Sequence, residues 1–294
     1  MTSDDPSGRP DRASTPALLS WALFDWANSA FPTVIQTFVF AAYFTRRVAE
    51  NETAGSAAWG TAVGVAGGLI ALSAPILGAI ADQGGRRKPW IAGFTGLCVF
   101  ATSLLWFVRP DTPVVPALAV FVVGMVGFEL ASVFYNAMLP GLAGSAIGRW
   151  SGWAWGLGYA GGLACLLISL FALVRPEGAW LGLDPEHYEH VRATFLLVAV
   201  WFSLFSLPLL MVTPDRRRGP RRSPTEAVRR GIRQLAGSLR RIRDYGHIVR
   251  FLAARMLYID GLATIFAFGG VYAAGTFDMN EEQVLAFGIA LNVS

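Results

Sequence analysis

Apolar runs of roughly 19–29 residues recur along the chain, and nothing else in the sequence narrows its possible folds as far. A run of about 18 or more apolar residues reads as a helix that crosses a bilayer. Hydrocarbon offers the backbone no hydrogen bonds, so each segment must satisfy its own N–H and C=O groups. The runs fall at 17–45, 59–81, 90–108, 114–138, 152–174, 193–212 and 248–274. An eighth begins near Val284 and is cut off where the sequence stops. Composition points the same way: 54% of the 294 residues are hydrophobic and only 15% are charged, where soluble domains carry about 25% charged residues. The mean hydropathy is +0.47. The expected class is an all-α polytopic membrane protein with about seven full spans and part of an eighth.

Residues 1–16 are polar and rich in Pro and Ser, and they read as a disordered cytoplasmic tail rather than a cleaved leader. Cys98 and Cys165 both lie inside apolar runs, which predicts packing roles rather than a disulfide. Basic loop residues are retained on the cytoplasmic side. With the N-terminus placed there, inside segments hold 17 Lys and Arg and outside loops hold 5, namely Arg46, Arg47, Arg109, Arg175 and Arg192. A multi-pass protein of the bacterial inner membrane with a cytoplasmic N-terminus is expected.

Four units follow: the tail 1–16, a six-helix bundle 17–212, a basic cytoplasmic linker 213–247, and the incomplete start of a second bundle at 248–294. Within the linker, Ser223-Pro224-Thr225-Glu226 reads as a helix start. Behind it Val228, Ile232, Leu235, Leu239 and Ile242 share one face among arginines. Such a helix at 223–243 is expected to lie along anionic lipid headgroups rather than to bind nucleic acid.

Charged residues inside a span cost roughly 2.5–3.5 kcal/mol each on insertion scales, so they face a bundle interior or water. In the first span, Asp25, Asn28, Ser29, Pro32 and Gln36 fall within about 100° of helical arc. They form one polar stripe, with a bend expected at the proline. The fourth span repeats the pattern with Glu129, Ser132, Asn136 and Pro140, and the seventh contributes Arg255, Tyr258, Asp260 and Thr264. The seven residues from Asp25 to Phe31 and from Asp260 to Phe266 share Asp, a small hydroxyl residue and Phe in register, as a repeat of six helices requires. Asp25, Asn28, Gln36, Glu129, Asn136, Arg255, Tyr258 and Asp260 are therefore the candidate solute or proton pathway. Trp26, Tyr135, Tyr159 and Tyr258 are candidates to shape it. Each acid also has a structural reading: Asp25 as an interfacial acid about 12 Å inside the boundary, Glu129 as half of an ion pair with Arg255.

The loop after the second span reads GAIADQGGRRKPW, which fits G-x-x-x-D-x-x-G-[RK]-[RK] through Gly78, Asp82, Gly85, Arg86 and Arg87. Glycines permit a tight turn and close helix approach, and Asp82 with the arginines can lock helix ends together as a cytoplasmic gate. On this motif the chain resembles the major facilitator superfamily. FDWANSAF, FELASVFYNAMLP, SGWAWGLGYAGG and RMLYIDGLATIFAFGGVYAAG narrow the resemblance to the bacterial "unknown major facilitator" proteins and the related fungal autophagy-type vacuolar amino-acid effluxers. That resemblance implies the major-facilitator fold, twelve helices, alternating access and a link to amino-acid efflux. Two superfamily signals are missing: Leu157-Gly158 stands where the antiporter Gly-Pro pair is expected, and Glu129 occupies the region of the arginine motif of proton-coupled drug exporters.

The fifth span carries Gly152-x-x-x-Gly156 and Gly158-x-x-x-Gly162, spacings that let helices approach closely. Glu186-His187-Tyr188-Glu189-His190 reads as a solvated outer loop rather than a chelate. There is no phosphate-binding loop, no metal-ligand cluster within a span and no nucleophile constellation, so neither a cofactor, a metal nor an enzymatic activity is expected. The function expected is secondary active transport of a small polar or zwitterionic solute, amino acids among them, with protons as a candidate coupling ion. The competing class is a non-transporting receptor, scaffold or regulatory fragment. With half of the expected second repeat missing, the chain is expected to be a fragment of a longer protein.

Overall fold

All seven apolar runs are helical in the computed structural model, which describes residues 13–82, 86–175, 182–215 and 246–293 and scattered helical positions between 226 and 240. The first span comprises α1 (Thr15–Asn28), a π-helical stretch Phe31–Phe38, α2 (Val39–Tyr43) and a second π-helical stretch Phe44–Val48. Then come α3 (Glu52–Asp82), α4 (Lys88–Leu104), α5 (Val114–Ala143), α6 (Ile147–Ile168, continued to Val174 as a π-helix) and α7 (Glu189–Val212). α8 (Gly246–Phe277) and α9 (Glu281–Val293) follow the connector. Among the described residues, four stretches are long and apolar enough to cross a membrane: Glu52–Gly78, Lys88–Phe107, Val114–Val174 and Glu189–Val212. The third of these holds two helices, parted at Gly144, where φ is +54°.

Helix starts follow local capping rather than the edge of the apolar run. α3 begins seven residues before its hydrophobic stretch because Asn51 accepts the Ala54 N–H at 2.9 Å and closes the first turn. α9 begins with a reciprocal cap: Asn280 accepts from the Gln283 N–H at 2.9 Å and Gln283 accepts from the Asn280 N–H at 3.0 Å. The amphipathic helix expected at 223–243 lies almost wholly outside the described residues.

The first span runs through the middle of the bundle. Phe24, Phe31, Phe38, Phe40 and Phe44 are all buried along it. α6 and α7 pack along its first half, α8 and α9 along its second half, and α3 and α4 pair with α5. Leu72, Phe100, Val200 and Met211 point outward from the other helices, an apolar surface that suits lipid and not water.

Small residues set the closest approach. A Cβ on Gly161 of α6 would lie 2.4 Å from the Trp26 carbonyl oxygen of α1, so only glycine fits there. Gly158 and Gly162 face Ser29 and Thr33 of the same span. The expectation for Gly152 and Gly156 is corrected: both look into open space, because α6 turns its other face to the first span.

Candidate functional site

Pro32 decides the local geometry of the site. It has no N–H to donate, so α-helical bonding cannot continue through it. The chain widens from Phe31 to Phe38 into a π-helix, a form that recurs at functional sites. The expected bend is therefore a change of helical pitch, and it turns the polar stripe toward a cavity of about 360 Å³. The first span lines this cavity with Asp25, Asn28, Ser29, Pro32, Thr33, Gln36, Thr37 and Phe38. α5 adds Phe128 and Ser132, and α6 adds Trp155, Gly158 and Tyr159.

Asp25 is the ionisable acid in that lining. The Tyr135 hydroxyl approaches it without closing a hydrogen bond of normal geometry, and Asn28 lies one turn away. Tyr135 is held from behind, its ring stacked on Trp21 with centroids 4.5 Å apart and planes 9° from parallel. The Trp21 Nε1–H also donates to the Tyr135 carbonyl at 3.1 Å. Trp26, on the opposite side of α1, stacks on Trp201, whose Nε1–H donates to the Trp26 carbonyl at 3.1 Å. Of the four aromatic residues expected to shape the cavity, Tyr159 lines it, Tyr135 backs it, and Trp26 braces α7.

The remaining candidates divide. Glu129 is half-buried on α5, between the lining residues Phe128 and Ser132 in sequence, and is absent from the lining itself. Asn136, on the same helix, is exposed. Arg255, Tyr258 and Asp260 lie on an exposed stretch of α8 and do not meet the first-span stripe; the Thr264 hydroxyl donates to the Asp260 carbonyl at 2.8 Å. The ion pair with Arg255, the alternative structural reading of Glu129, is not formed. Among the described residues no cation pairs with Asp25 or with Glu129.

Of the gate motif, Gly78, Arg86 and Arg87 are described with their surroundings. The Asp82 side chain and Gly85 lie outside the described residues. Arg86 is exposed. The Arg87 and Lys88 backbone N–H groups donate to Asp215 at 2.9 and 3.3 Å, and Lys88 Nζ donates to the Leu210 carbonyl at 2.9 Å. The motif loop is thus tied to the end of α7, a partner that its spacing alone does not announce. In the loop before α7, His187 Nδ1 sits 2.6 Å from Asp184, and that bond with the Glu186 N–H holds the Asp184 carboxyl below the usual carboxylate range. Glu189 accepts the Asp184 N–H at 3.0 Å, so the loop is engaged in its own turn.

The family described as "Vacuole effluxer Atg22 like" matches residues 43–147 and 145–294. The chain belongs to this family of major-facilitator proteins. It is 30% identical over 259 residues to a Bacillus subtilis (strain 168) protein described as an uncharacterized MFS-type transporter, YxiO. That match covers 87% of this chain and 59% of the relative, so the chain spans under two thirds of its relative's length. Its fold resembles the xylose transporter XylE from E. coli in a partially occluded inward-open form and in an inward-open form. The TM-scores are 0.53 and 0.52 at 16% identity, over 95% of this chain and 69% and 66% of those chains. The Atg22-like chain therefore has a partial major-facilitator fold and is an integral, multi-pass membrane protein. Its relatives are transporters rather than enzymes.

Proposed function

We propose that this Atg22-like chain supplies the first bundle and the opening helices of a secondary active transporter. The transporter moves a small polar or zwitterionic solute, with amino acids as the first class to test, by alternating access. One observation carries the reading: a cavity within an apolar helical bundle is lined on one side by a carboxylate, two amides and three hydroxyls along a single span. An acid without a counter-ion is costly in such a place. A solute amine or a proton offsets that cost, so Asp25 is assigned to solute binding. Glu129, half-buried on α5 between the lining residues Phe128 and Ser132 in sequence and without a cation among the described residues, is assigned to proton coupling. The protein sits in the bacterial inner membrane with its N-terminus inside, and the basic segment 223–243 rests on anionic headgroups.

The test is solute flux. The full-length protein containing this chain is reconstituted into liposomes and loaded with single labelled amino acids, with a sugar as control. Saturable efflux or counterflow of one amino-acid class supports the reading. Equal passive leakage of every solute, with or without a pH gradient, overturns it.

A further inference from the structure

We propose that Arg46, Arg47 and Arg175 of the first bundle, with Asp278, Glu281 and Glu282 at the α8–α9 turn, form a breakable latch over the outer end of the cavity. The three arginines come from the ends of the first and fifth spans, and the three acids lie within five consecutive residues. The charge distribution across the loops assigns all six to the outside.

The contacts are specific. Arg46 donates to the carbonyls of Ala274 and Met279 and lies 3.2 Å from Asp278, so it holds the carbonyl end of α8, where the helix dipole favours a cation. Its Nε also lies 3.3 Å from Glu52 at the start of α3, which anchors it to the first bundle. Asp278 takes a left-handed backbone, φ +53°, as it ends the helix. Arg47 meets Glu281 through both Nε (3.3 Å) and Nη2 (3.2 Å) while resting 4.8 Å over the Tyr188 ring. Arg175 Nε lies 2.5 Å from Glu282.

Beneath these charges the backbones touch. A Cβ on Gly270 would fall 3.0 Å from Phe38 Cα and closer still to the Thr37 carbonyl, and one on Gly288 would fall 2.8 Å from the Phe38 ring. Thr37 and Phe38 are also lining residues of the cavity. α8 and α9 therefore pack against two of the cavity's lining residues on the side where the latch sits. The other end of α8, from Gly246 to Asp260, is exposed, and among the described residues it makes no ion pair with the first bundle. The bundles are joined at one end and apart at the other. Exposed ion pairs are individually weak and screened by salt, which suits a contact that must break once per cycle.

The latch rests on the alternating-access reading, so its test uses no solute. A Thr33→Cys reporter in the cavity of the full-length protein is labelled with a membrane-impermeant maleimide from the outside; Cys98 and Cys165 are buried, and the parent without the reporter gives the background. Arg47→Glu with Arg175→Glu is expected to raise the outside labelling rate about tenfold, because attraction becomes like-charge repulsion at two contacts. Adding Glu281→Arg and Glu282→Arg is expected to bring the rate back to within about twofold of the reporter parent. Raising salt from about 0.1 to about 1 M, which shortens the Debye length from roughly 10 to 3 Å, should speed labelling of the reporter parent. Labelling from the inside reports whether each variant is folded. An outside rate unmoved by charge reversal in a folded variant, or not restored by the swap, overturns the latch. If the reversed variant does not fold, the salt response of the reporter parent decides: no acceleration overturns it. Failure of solute flux alone leaves the latch standing.

Discussion

Asp215 accepts the backbone N–H of Arg87 at 2.9 Å, so the first acid after α7 serves as the cap of α4. The same carboxylate accepts the Lys88 N–H, while Lys88 Nζ satisfies a carbonyl in the last turn of α7. Helix N-terminal N–H groups have no partner of their own, and loss of a capping side chain costs about 0.5–2 kcal/mol. Asp215→Ala is expected to lower the melting temperature in detergent, and Asp215→Asn, which keeps an acceptor, to lower it less. Equal stability of Asp215→Ala and the parent would remove the cap from the account.

Gly161 and Gly156 make a matched pair for a packing test. A methyl at Gly161 collides with the Trp26 carbonyl, whereas Gly156 has nothing within 4 Å. Overpacking of this kind costs roughly 1–3 kcal/mol. Gly161→Ala should therefore melt earlier than the parent while Gly156→Ala melts with it. The opposite order would mean that α6 presents its other face to the first span.

The membrane class and the positions of the spans were legible because lipid imposes a length and a composition on every helix. The polar stripe was legible too, since helical periodicity alone puts Asp25, Asn28, Ser29, Pro32 and Gln36 together. Thr33, Thr37 and Phe38 are not legible at 3.6 residues per turn, because the π-helix from Phe31 rotates additional residues into the cavity. Asp215 escaped because it sits at the head of a Pro- and Arg-rich stretch that reads as linker. Arg46, Arg47 and Arg175 were visible only as loop charges; their acids follow α8, more than a hundred residues further on, and no local pattern links them. The repeat between Asp25 and Asp260 does not translate into matching surroundings, because the first span is central and that part of α8 is exposed.

Arg192 is a loop charge by sequence and a buried side chain in the fold, at 1% exposure. Its Nη1 donates to the Trp106 carbonyl at 2.6 Å and its guanidinium lies 4.9 Å over the Trp106 ring. Glu189, one turn back, is 3.5 Å from Nη2. Arg192→Ala leaves that carbonyl without its donor, a loss of roughly 1–3 kcal/mol. Arg192→Lys keeps the charge but not the planar fork, so it should recover only part of the stability. Full recovery by lysine, read as melting temperature, would reduce the interaction to charge alone.

The proposed roles of Asp25 in solute binding and Glu129 in proton coupling are tested by kinetics. Asp25 lines the cavity and Glu129 does not, so substitution should act on different parameters. In the full-length transporter, Asp25→Asn removes the charge while keeping the shape. It is expected to weaken the apparent solute affinity at least about tenfold, a loss of about 1.4 kcal/mol of binding. Glu129→Gln is expected to leave counterflow, which needs no net proton movement, near the parent rate. Uphill transport driven by a pH gradient should fall, and the dependence of rate on pH should flatten. Unchanged pH-dependent transport in Glu129→Gln would dismiss Glu129 as the coupling site. Unchanged affinity in Asp25→Asn would reassign Asp25 to a structural role against Tyr135 and Asn28.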